Sequence, residues 1–382
     1  MTVRSKRAVI TGLGAVSGFG LGVPRLWSAL LQGRRAVATH QVGATLGTMA
    51  LVPDSLLGER AAALTRMAAE EAVCDAGGVT PGARLAVSVG TTLGGISAWL
   101  AHLRDRAAAS EHWTWSGPAE TIAAAHGAEI VSVASIACAS ANAALGTALE
   151  LIRTSRADQV IAGGVDALND FVVAGFASLK ALDPDPCRPF DRARRGLNLG
   201  EGAGFLVLEE ESHARARGAR IRALLSGYGS ATDANHMTGP DRQGRGAAHA
   251  MQAALEDAAV FPAAIDFVST HGTATPFNDA MEARALHAVF GARAARLPAH
   301  SIKGSLGHTL GAAGALEALV CVRILETGHI PPTVGLMDRD PEIELDLVAG
   351  AARACPVTTA LSTSSGFGGL NAAVVLQRFE AA

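Results

Sequence analysis

Three residues with reactive side chains stand at predicted strand ends or beside a predicted turn. Cys138 lies in SIACASANAALG, where a buried strand gives way to a helix of small residues. His271 lies in STHGTATPFNDAMEA, and His308 follows a Gly-rich turn in SIKGSLGHTLGAAGALEA. A thiol at a helix start faces free N–H groups and the positive end of the helix dipole, which favours a thiolate. Cys138 is therefore a candidate nucleophile, and its small Ala and Ser neighbours leave room for an acyl chain.

Charged and Gly-rich segments accompany these residues. Lys303 precedes His308, and Glu317 follows that histidine by nine residues. The loop SSGFGGLNAA carries a single large side chain, Phe367, and can present backbone N–H groups to an oxyanion or form an ordinary turn. Taken alone, a buried cysteine is usually a small apolar residue and a lone histidine is usually structural. Only the combination indicates a catalytic site.

Short Val- and Ile-rich runs alternate with Ala-rich helical stretches, which predicts an α/β fold with buried sheets. This fold must position the reactive residues. The predicted strands are 7–14, 83–90, 130–137, 158–165, 203–210, 220–229, 265–272 and 371–379. The predicted helices are 61–76, 140–155, 245–259, 279–290 and 309–326.

A weak internal repeat suggests two similar α/β halves. An Arg-rich segment near residue 215 predicts the boundary, which gives an N-terminal half, 1–215, with the cysteine and a C-terminal half, 216–382, with both histidines. The matching pairs of segments are 7–14 with 220–229, 87–95 with 267–275, and 138–150 with 308–318.

Composition excludes several classes of protein. The 382 residues are 49% apolar and 18% charged, with a net charge of −3, so neither a disordered chain nor a basic nucleic-acid binder is expected. The five cysteines form no C-x-x-C pair, which predicts neither disulfides nor structural zinc and favours the cytoplasm. The basic start is followed by a Gly-broken apolar stretch rather than a signal peptide. The uncharged run 130–149 contains too much Ser, Asn and Cys for a membrane helix, so a soluble protein is expected.

The segment TGLGAVSGFG resembles a dinucleotide-binding loop only superficially. Its glycine spacing is wrong, and no Asp or Glu that could hold a ribose precedes Asp54. A Gly-rich exit from a strand is the better interpretation.

Together the four reactive segments resemble the β-ketoacyl-acyl-carrier-protein synthases of the thiolase superfamily, closest to the elongating type II branch. The segments RPFDRARRGLNLGEGAGFLVLEE and ATDANHMTGP resemble the same family, so the likeness extends from about residue 7 to residue 379. The resemblance implies an α/β thiolase fold with duplicated halves in a five-layered αβαβα arrangement, and usually a dimer.

The resemblance also implies roles for the reactive residues. Cys138 is the nucleophile, and His271 and His308 complete a Cys-His-His triad. Lys303 and Glu317 match the charged pair that supports the site. Two histidines, rather than one, imply decarboxylative elongation: malonyl-carrier loses carbon dioxide and the resulting enolate attacks the acyl-cysteine. Neither a cofactor nor a metal is implied.

Further residues are assigned by the same resemblance. Phe367 matches a gating residue flanked by Gly366 and Gly368, and the N–H groups of Cys138 and Phe367 would form the oxyanion hole. Leu93 is expected near the end of the acyl pocket. The chain departs from housekeeping enzymes in two shortened segments and at Ser365, where an aromatic residue is usual, which favours a polyketide or polyene pathway.

An acidic acyl carrier protein is the expected partner, docking on a basic patch formed by Arg188, Arg192 and Arg195. A second arginine cluster near residue 215 is better explained as a solvated face. Two other functions stay open: a chain-length-factor-type subunit, which would form a heterodimer with a ketosynthase, and a degradative thiolase acting on coenzyme A thioesters. Homodimer and heterodimer are equally compatible with the sequence.

Overall fold

The computed structural model describes residues 6–53, 59–105 and 113–380, in which strands and helices alternate. In chain order the strands are β1 (Ala8–Ser17), β2 (Gly20–Leu21), β3 (Ala38–Val42), β4 (Thr45–Ala50), β5 (Leu85–Gly90), β6 (Ile130–Ala134), β7 (Gln159–Asp166), β8 (Leu199–Gly200), β9 (Gly202–Glu210), β10 (Ala223–Thr232), β11 (Phe267–Ser269), β12 (Pro298–His300), β13 (His329–Ile330), β14 (Asp346–Leu347), β15 (Arg353–Ala354), β16 (Thr359–Gly366) and β17 (Leu370–Arg378).

The α-helices, numbered in the same way, are α1 (Val23–Leu31), α2 (Arg60–Asp75), α3 (Ile96–Asp105), α4 (Gly117–His126), α5 (Ser140–Arg153), α6 (Asp170–Ser178), α7 (Glu211–Ala216), α8 (Arg245–Asp257), α9 (Pro276–Phe290), α10 (Lys303–Leu306) and α11 (Ala313–Thr327). Within the described ranges, no helix is both long enough and apolar enough to cross a bilayer.

One sheet runs through both parts of the chain in the order β14-β12-β11-β16-β17-β10-β1-β9-β7-β5-β6. It contains two sets of strands with the same internal order, β1-β9-β7-β5-β6 and β10-β17-β16-β11-β12. In each set the first three strands are antiparallel neighbours and the last three are parallel neighbours. This repeated topology confirms the predicted duplication.

The weak repeats in the sequence occupy equivalent places in the two halves. β1 and β10 are the equivalent strands that pair antiparallel where the halves meet. β5 and β11 hold the same internal position in their sets, and each leads into one of the Gly-Thr turns noted in the sequence. The predicted boundary at residue 215 lies within α7, which ends at Ala216, and β10 begins at Ala223. The exact boundary stays a prediction.

Helices α5 and α11 form the layer between the two sets of strands. α5 packs on β5 and β7 of the first set and on β10 and β17 of the second, while α11 contacts β16, β17 and β9. Close packing needs small residues: a Cβ at Gly146 of α5 would lie 2.5 Å from the Tyr228 ring. With α2 against β1 and β9 and α8 against β10 and β17, the order of layers is the expected αβαβα.

Several elements differ from the sequence prediction, and two of them lie next to the reactive residues. The predicted helix 309–326 starts as a 3-10 turn, Leu310–Ala312, because Leu310 has a φ of +53° that no α-helix accommodates. The strand β16 was not predicted, since its sequence TALSTSSG is rich in Ser and Thr, yet most of it is buried.

Candidate active site

The fold brings the cysteine and both histidines together at the base of one cavity. Cys138 precedes α5, His271 follows β11, and His308 lies in the turn after α10. The Cys138 Sγ is 3.0 Å from the His308 Nε2, and the two imidazole centroids are 5.2 Å apart with the rings nearly perpendicular. All three side chains are buried. The predicted cluster therefore exists, although 170 residues separate the cysteine from His308.

The turn before α5 presents Cys138 to the cavity in a constrained conformation. Ala137 has a φ of +50°, a left-handed value that is uncommon for alanine. A Cβ at Gly366 would lie 2.9 Å from the Ala137 Cβ and 3.1 Å from the Cys138 nitrogen. Glycine at 366 therefore allows the Gly-rich loop to approach the nucleophile. Gly368 donates its N–H to the Met237 carbonyl at 2.7 Å, so that N–H holds the loop in place and is not free to bind an oxyanion.

A buried ion pair supports the histidines from behind. The Lys303 Nζ is 2.5 Å from the Glu317 Oε1, and the two side chains are 2% and 1% exposed. The same ammonium donates to the His271 carbonyl at 2.6 Å and lies 3.3 Å from the His271 Nδ1. The second Glu317 oxygen accepts a long hydrogen bond from Ser364 at 3.5 Å. Lys303 and Glu317 thus lie where the sequence predicts, as neighbours of the triad.

The contacts of the two Nδ1 atoms define the tautomers of both imidazoles. The His308 Nδ1 accepts from the backbone N–H of Leu310 at 3.2 Å, and an ammonium without acceptor capacity faces the His271 Nδ1. Each neutral ring therefore carries its proton on Nε2. The arrangement supplies two N–H donors, and the one on His308 points at the Cys138 sulfur.

Burial controls the charge state of these groups. Desolvation, reinforced by the positive charge of Lys303, holds the pKa of both His271 and His308 well below the ordinary imidazole value. Desolvation also raises the pKa of the Cys138 thiol to about 12, with Lys303 opposing the shift. The expectation of a resting thiolate is therefore wrong: burial outweighs the favourable helix start. Both histidines are neutral donors, as their predicted role requires.

A further positioning residue, Glu282, escaped the sequence analysis. Its carboxylate accepts from the backbone N–H groups of His271 and Gly272, at 2.6 and 2.8 Å, and from the Thr363 hydroxyl at 2.9 Å. Burial raises the pKa of Glu282 to about 7. The residue lies within the motif that carries His271, but nothing in its spacing distinguishes it from a surface acid.

The cavity above the triad has a volume of about 460 Å³. Phe367 lines it and stacks on Phe176, with 5.6 Å between the ring centroids. This places Phe367 at a position suited to gating. Leu93 does not line the cavity; it is buried in a separate apolar cluster with Leu168 and Leu310, so its acyl-pocket role stays a prediction.

The predicted docking arginines are less available than the sequence suggests. Arg192 lies 3.4 Å from Asp338, and Arg195 contacts Asp183 at 2.8 Å and also a second carboxylate. Arg188 is only partly exposed and does not line the cavity, whereas Arg195 does.

The sequence analysis did not predict a docking role for Lys180, an exposed lysine at the cavity mouth. Lys180 lines the cavity beside Arg195 and makes no ion pair within the part of the chain that the structure describes. The signal was available, because lysine is rare in this sequence and occurs only at positions 6, 180 and 303. Lys180 is therefore the stronger candidate for contact with an acidic partner.

A buried cysteine that faces two neutral histidines, between duplicated α/β halves, defines a thiolase-fold condensing enzyme. The family models described as Beta-ketoacyl synthase, N-terminal domain and C-terminal domain match residues 59–214 and 222–337. The chain belongs to the β-ketoacyl synthase family. It is an acyl-transferring condensing enzyme of fatty acid or polyketide biosynthesis, as the sequence predicts.

Individual relatives cover the whole chain. The 3-oxoacyl-[acyl-carrier-protein] synthase 2 of Staphylococcus aureus (strain COL) is 33% identical over 99% of this chain and 100% of its own. A similar solved structure is the apo AntDE:AntF complex, a type II polyketide acyl-carrier protein with its ketosynthase bound to the hexaketide. Its TM-score is 0.92 at 30% sequence identity, and the match covers 99% of this chain and 100% of that chain. The ishigamide ketosynthase/chain length factor has a TM-score of 0.90 at 36% identity, covering 98% and 100%.

Proposed function

We propose that this chain extends an acyl group held on Cys138 with the carbon unit of a malonyl group carried by acyl carrier protein. The observation that carries the proposal is the pair of neutral Nε2–H donors, one of them 3.0 Å from the Cys138 sulfur. No other described cluster combines a nucleophile with two such donors.

The first half-reaction forms the acyl-enzyme. The Cys138 sulfur attacks the carbonyl carbon of an acyl-carrier thioester, the carrier thiolate leaves, and the thiol proton goes to that leaving group or to solvent. The developing oxyanion would be stabilised by the backbone N–H groups of Cys138 and Phe367, since Gly366 lets the loop lie against the cysteine.

The second half-reaction forms the new carbon–carbon bond. The bond to the malonyl carboxylate breaks, carbon dioxide leaves, and the electron pair enters the thioester carbonyl to give an enolate. His271 and His308 donate to the enolate oxygen through Nε2–H. The enolate carbon attacks the acyl-Cys138 carbonyl and expels the cysteine thiolate, which takes up a proton from solvent to regenerate the resting thiol.

Two alternatives fit the site less well. A chain-length subunit that only shapes a partner's pocket has no use for a nucleophile set against two donors. A degradative thiolase would work on coenzyme A thioesters, and the second histidine disfavours it. Mass spectrometry of the chain after incubation with acyl-carrier and with acyl-coenzyme A separates the three functions. The condensing enzyme should be acylated by the carrier thioester, the chain-length subunit should not be acylated, and the thiolase should be acylated without a carrier.

We expect Cys138 to be the only cysteine acylated by substrate or by an electrophilic acyl analogue. Burial raises the pKa of all three thiols, so access distinguishes them: Cys138 lines the cavity, whereas Cys187 and Cys321 are buried away from it. Peptide mapping by mass spectrometry measures the site, with Cys138→Ser as the control. A label on Cys187 or Cys321 would contradict the assignment.

We expect reversal of charge at the cavity mouth to slow acylation by the acidic carrier by about 10-fold or more, and high salt to reduce the difference. Lys180→Glu should act most strongly, followed by Arg195→Glu and Arg192→Glu, whose arginines already have acidic partners. The measurement is the initial rate of acyl-Cys138 formation from acyl-carrier.

The control is Arg220→Glu, at an exposed arginine that lines a groove away from the triad. It should leave the rate unchanged, and all variants should react normally with a small thioester that needs no carrier. Equal losses with both donors would mean that the fold is damaged, and the docking proposal would then be wrong.

We propose a dimer formed across the free edge of the sheet. β6 is the last strand at that edge; the exposed Val131 side chain lies on it, and the exposed Trp115 indole donates to the Ser135 hydroxyl just after it. Such an edge favours pairing with another chain. The relative described as a ketosynthase/chain length factor makes either a second copy or a related subunit a candidate partner.

The cytoplasmic location also stays a proposal, supported by cysteines that are all free.

Native mass spectrometry is expected to show a dimer that Val131→Lys converts to monomer, because a buried edge cannot easily accommodate the new charge. Phe261→Lys, at a residue that is 82% exposed in the other half, is the matched control and should leave the dimer intact. A purified chain that is monomeric alone would contradict the homodimer and favour the related subunit.

A further inference from the structure

The three triad residues have the donor set and nearly the spacing of a zinc site. One ligand atom from each of Cys138, His271 and His308 lies within 4.8 Å of the others, and all three residues are buried. Tetrahedral zinc binds sulfur at about 2.3 Å and nitrogen at about 2.0–2.1 Å, which places the ligand atoms roughly 3.3–3.6 Å apart. Movements of a fraction of an ångström to about one ångström would produce this geometry, so spacing alone does not exclude a metal.

The surroundings of the two imidazoles are the reverse of those in a metal site. A histidine that binds a metal through one ring nitrogen normally donates the N–H of the other to a carboxylate or carbonyl. Here both Nδ1 atoms face donors: the Leu310 N–H at 3.2 Å and the Lys303 ammonium at 3.3 Å. To bind a metal through Nε2, each ring would have to move its proton to Nδ1, directly against a donor.

The charge of Lys303 adds to this obstacle. Its buried ammonium is paired with the Glu317 carboxylate, yet it lies 3.3 Å from the His271 Nδ1 and lowers the pKa of the Cys138 thiol more than Glu317 raises it. A divalent cation would therefore enter a site that already holds a fixed positive charge. We propose that the Lys303 ammonium is the main obstacle that keeps the Cys-His-His cluster closed to zinc-like cations, with the Leu310 N–H as a lesser one, so that the thiol stays available to acyl groups.

The test is to remove the charge and reverse the hydrogen bond at Nδ1. In Lys303→Gln/Glu317→Gln, both replacements are neutral and similar in length, and the new amide oxygen at position 303 can accept from a protonated His271 Nδ1. Cobalt(II) is the probe, because thiolate binding produces a sulfur-to-cobalt charge-transfer absorption. Binding breaks the Cys138 S–H bond, forms a sulfur–cobalt bond and releases the proton to the buffer.

We expect the double variant to bind cobalt roughly 10- to 100-fold more tightly than the wild type, the usual effect of the groups surrounding a metal's ligands. Adding Cys138→Ala to the double variant should abolish the absorption. Comparable cobalt affinity in the wild type, or a folded double variant without the absorption, would overturn the proposal.

A second measurement needs only the wild-type protein. Excess zinc should not slow alkylation of Cys138, measured by mass spectrometry, and protection by zinc would refute metal exclusion even if the double variant fails to fold. Neither measurement uses a thioester substrate. Their outcome is therefore independent of acyl-Cys138 formation, which tests the proposed function.

Discussion

His308→Ala should still form acyl-Cys138 but should release carbon dioxide from malonyl-carrier more slowly, on the order of 100-fold or more. The enolate oxygen would lose one of its two Nε2–H donors, and the site is buried, so water cannot easily replace it. The acyl transfer step uses the cysteine and the backbone N–H groups instead. Acylation is measured by intact-protein mass spectrometry and decarboxylation by release of labelled carbon dioxide.

The matched control for this variant is His236→Ala, at a histidine that lines the same cavity but is exposed at its rim. It should decarboxylate a small malonyl thioester at nearly the wild-type rate. Normal decarboxylation by His308→Ala would contradict the role of His308 as a donor to the enolate oxygen. Loss of acylation in that variant would instead assign His308 to the first half-reaction.

Lys303→Ala should be both unstable and slow in decarboxylation. Glu317 would remain buried without its cation, an arrangement that typically costs about 3–5 kcal/mol in the free energy of unfolding. His271 would also lose the ammonium that faces its Nδ1, so the Nε2–H tautomer would no longer be imposed. Thermal unfolding and the decarboxylation rate measure the two effects.

Lys303→Gln/Glu317→Gln separates stability from positioning. Removing both charges should restore much of the thermal stability, because no unpaired charge stays buried. Decarboxylation should remain slow, since the amide oxygen favours the opposite His271 tautomer. If the double variant recovers both properties, the ion pair serves only the fold.

The fold could be predicted where apolar periodicity is strong. The strands at 85–90, 159–166 and 202–210 agree closely with the sequence analysis. β16 escaped because two of its buried hydroxyls bond to carboxylates from other parts of the chain: Thr363 donates to Glu282, and Ser364 donates to Glu317. Hydropathy cannot identify a strand whose polar groups are paired by partners distant in the chain.

The sequence predicted which residues form the site, but not the pKa of the thiol or the ion pairs of the arginines. Motifs identified Cys138 and the two histidines, but the pKa of the thiol depends on burial that no local pattern reports. The ion pairs that engage Arg192 and Arg195 join segments far apart in sequence or across a turn, so these side chains were expected to be freer than they are.

The position of β17 in the sheet has a consequence for biosynthesis of the protein. This strand begins at Leu370, 232 residues after Cys138, yet it pairs with β10 and β16 in the interior of the sheet and packs on α5, the helix that follows the nucleophile. The ribosome makes Cys138 long before it makes the strand that completes its surroundings. A nascent chain that has not yet reached β17 is therefore expected to carry an ordinary thiol, and the cysteine gains its native surroundings only once that strand has been made.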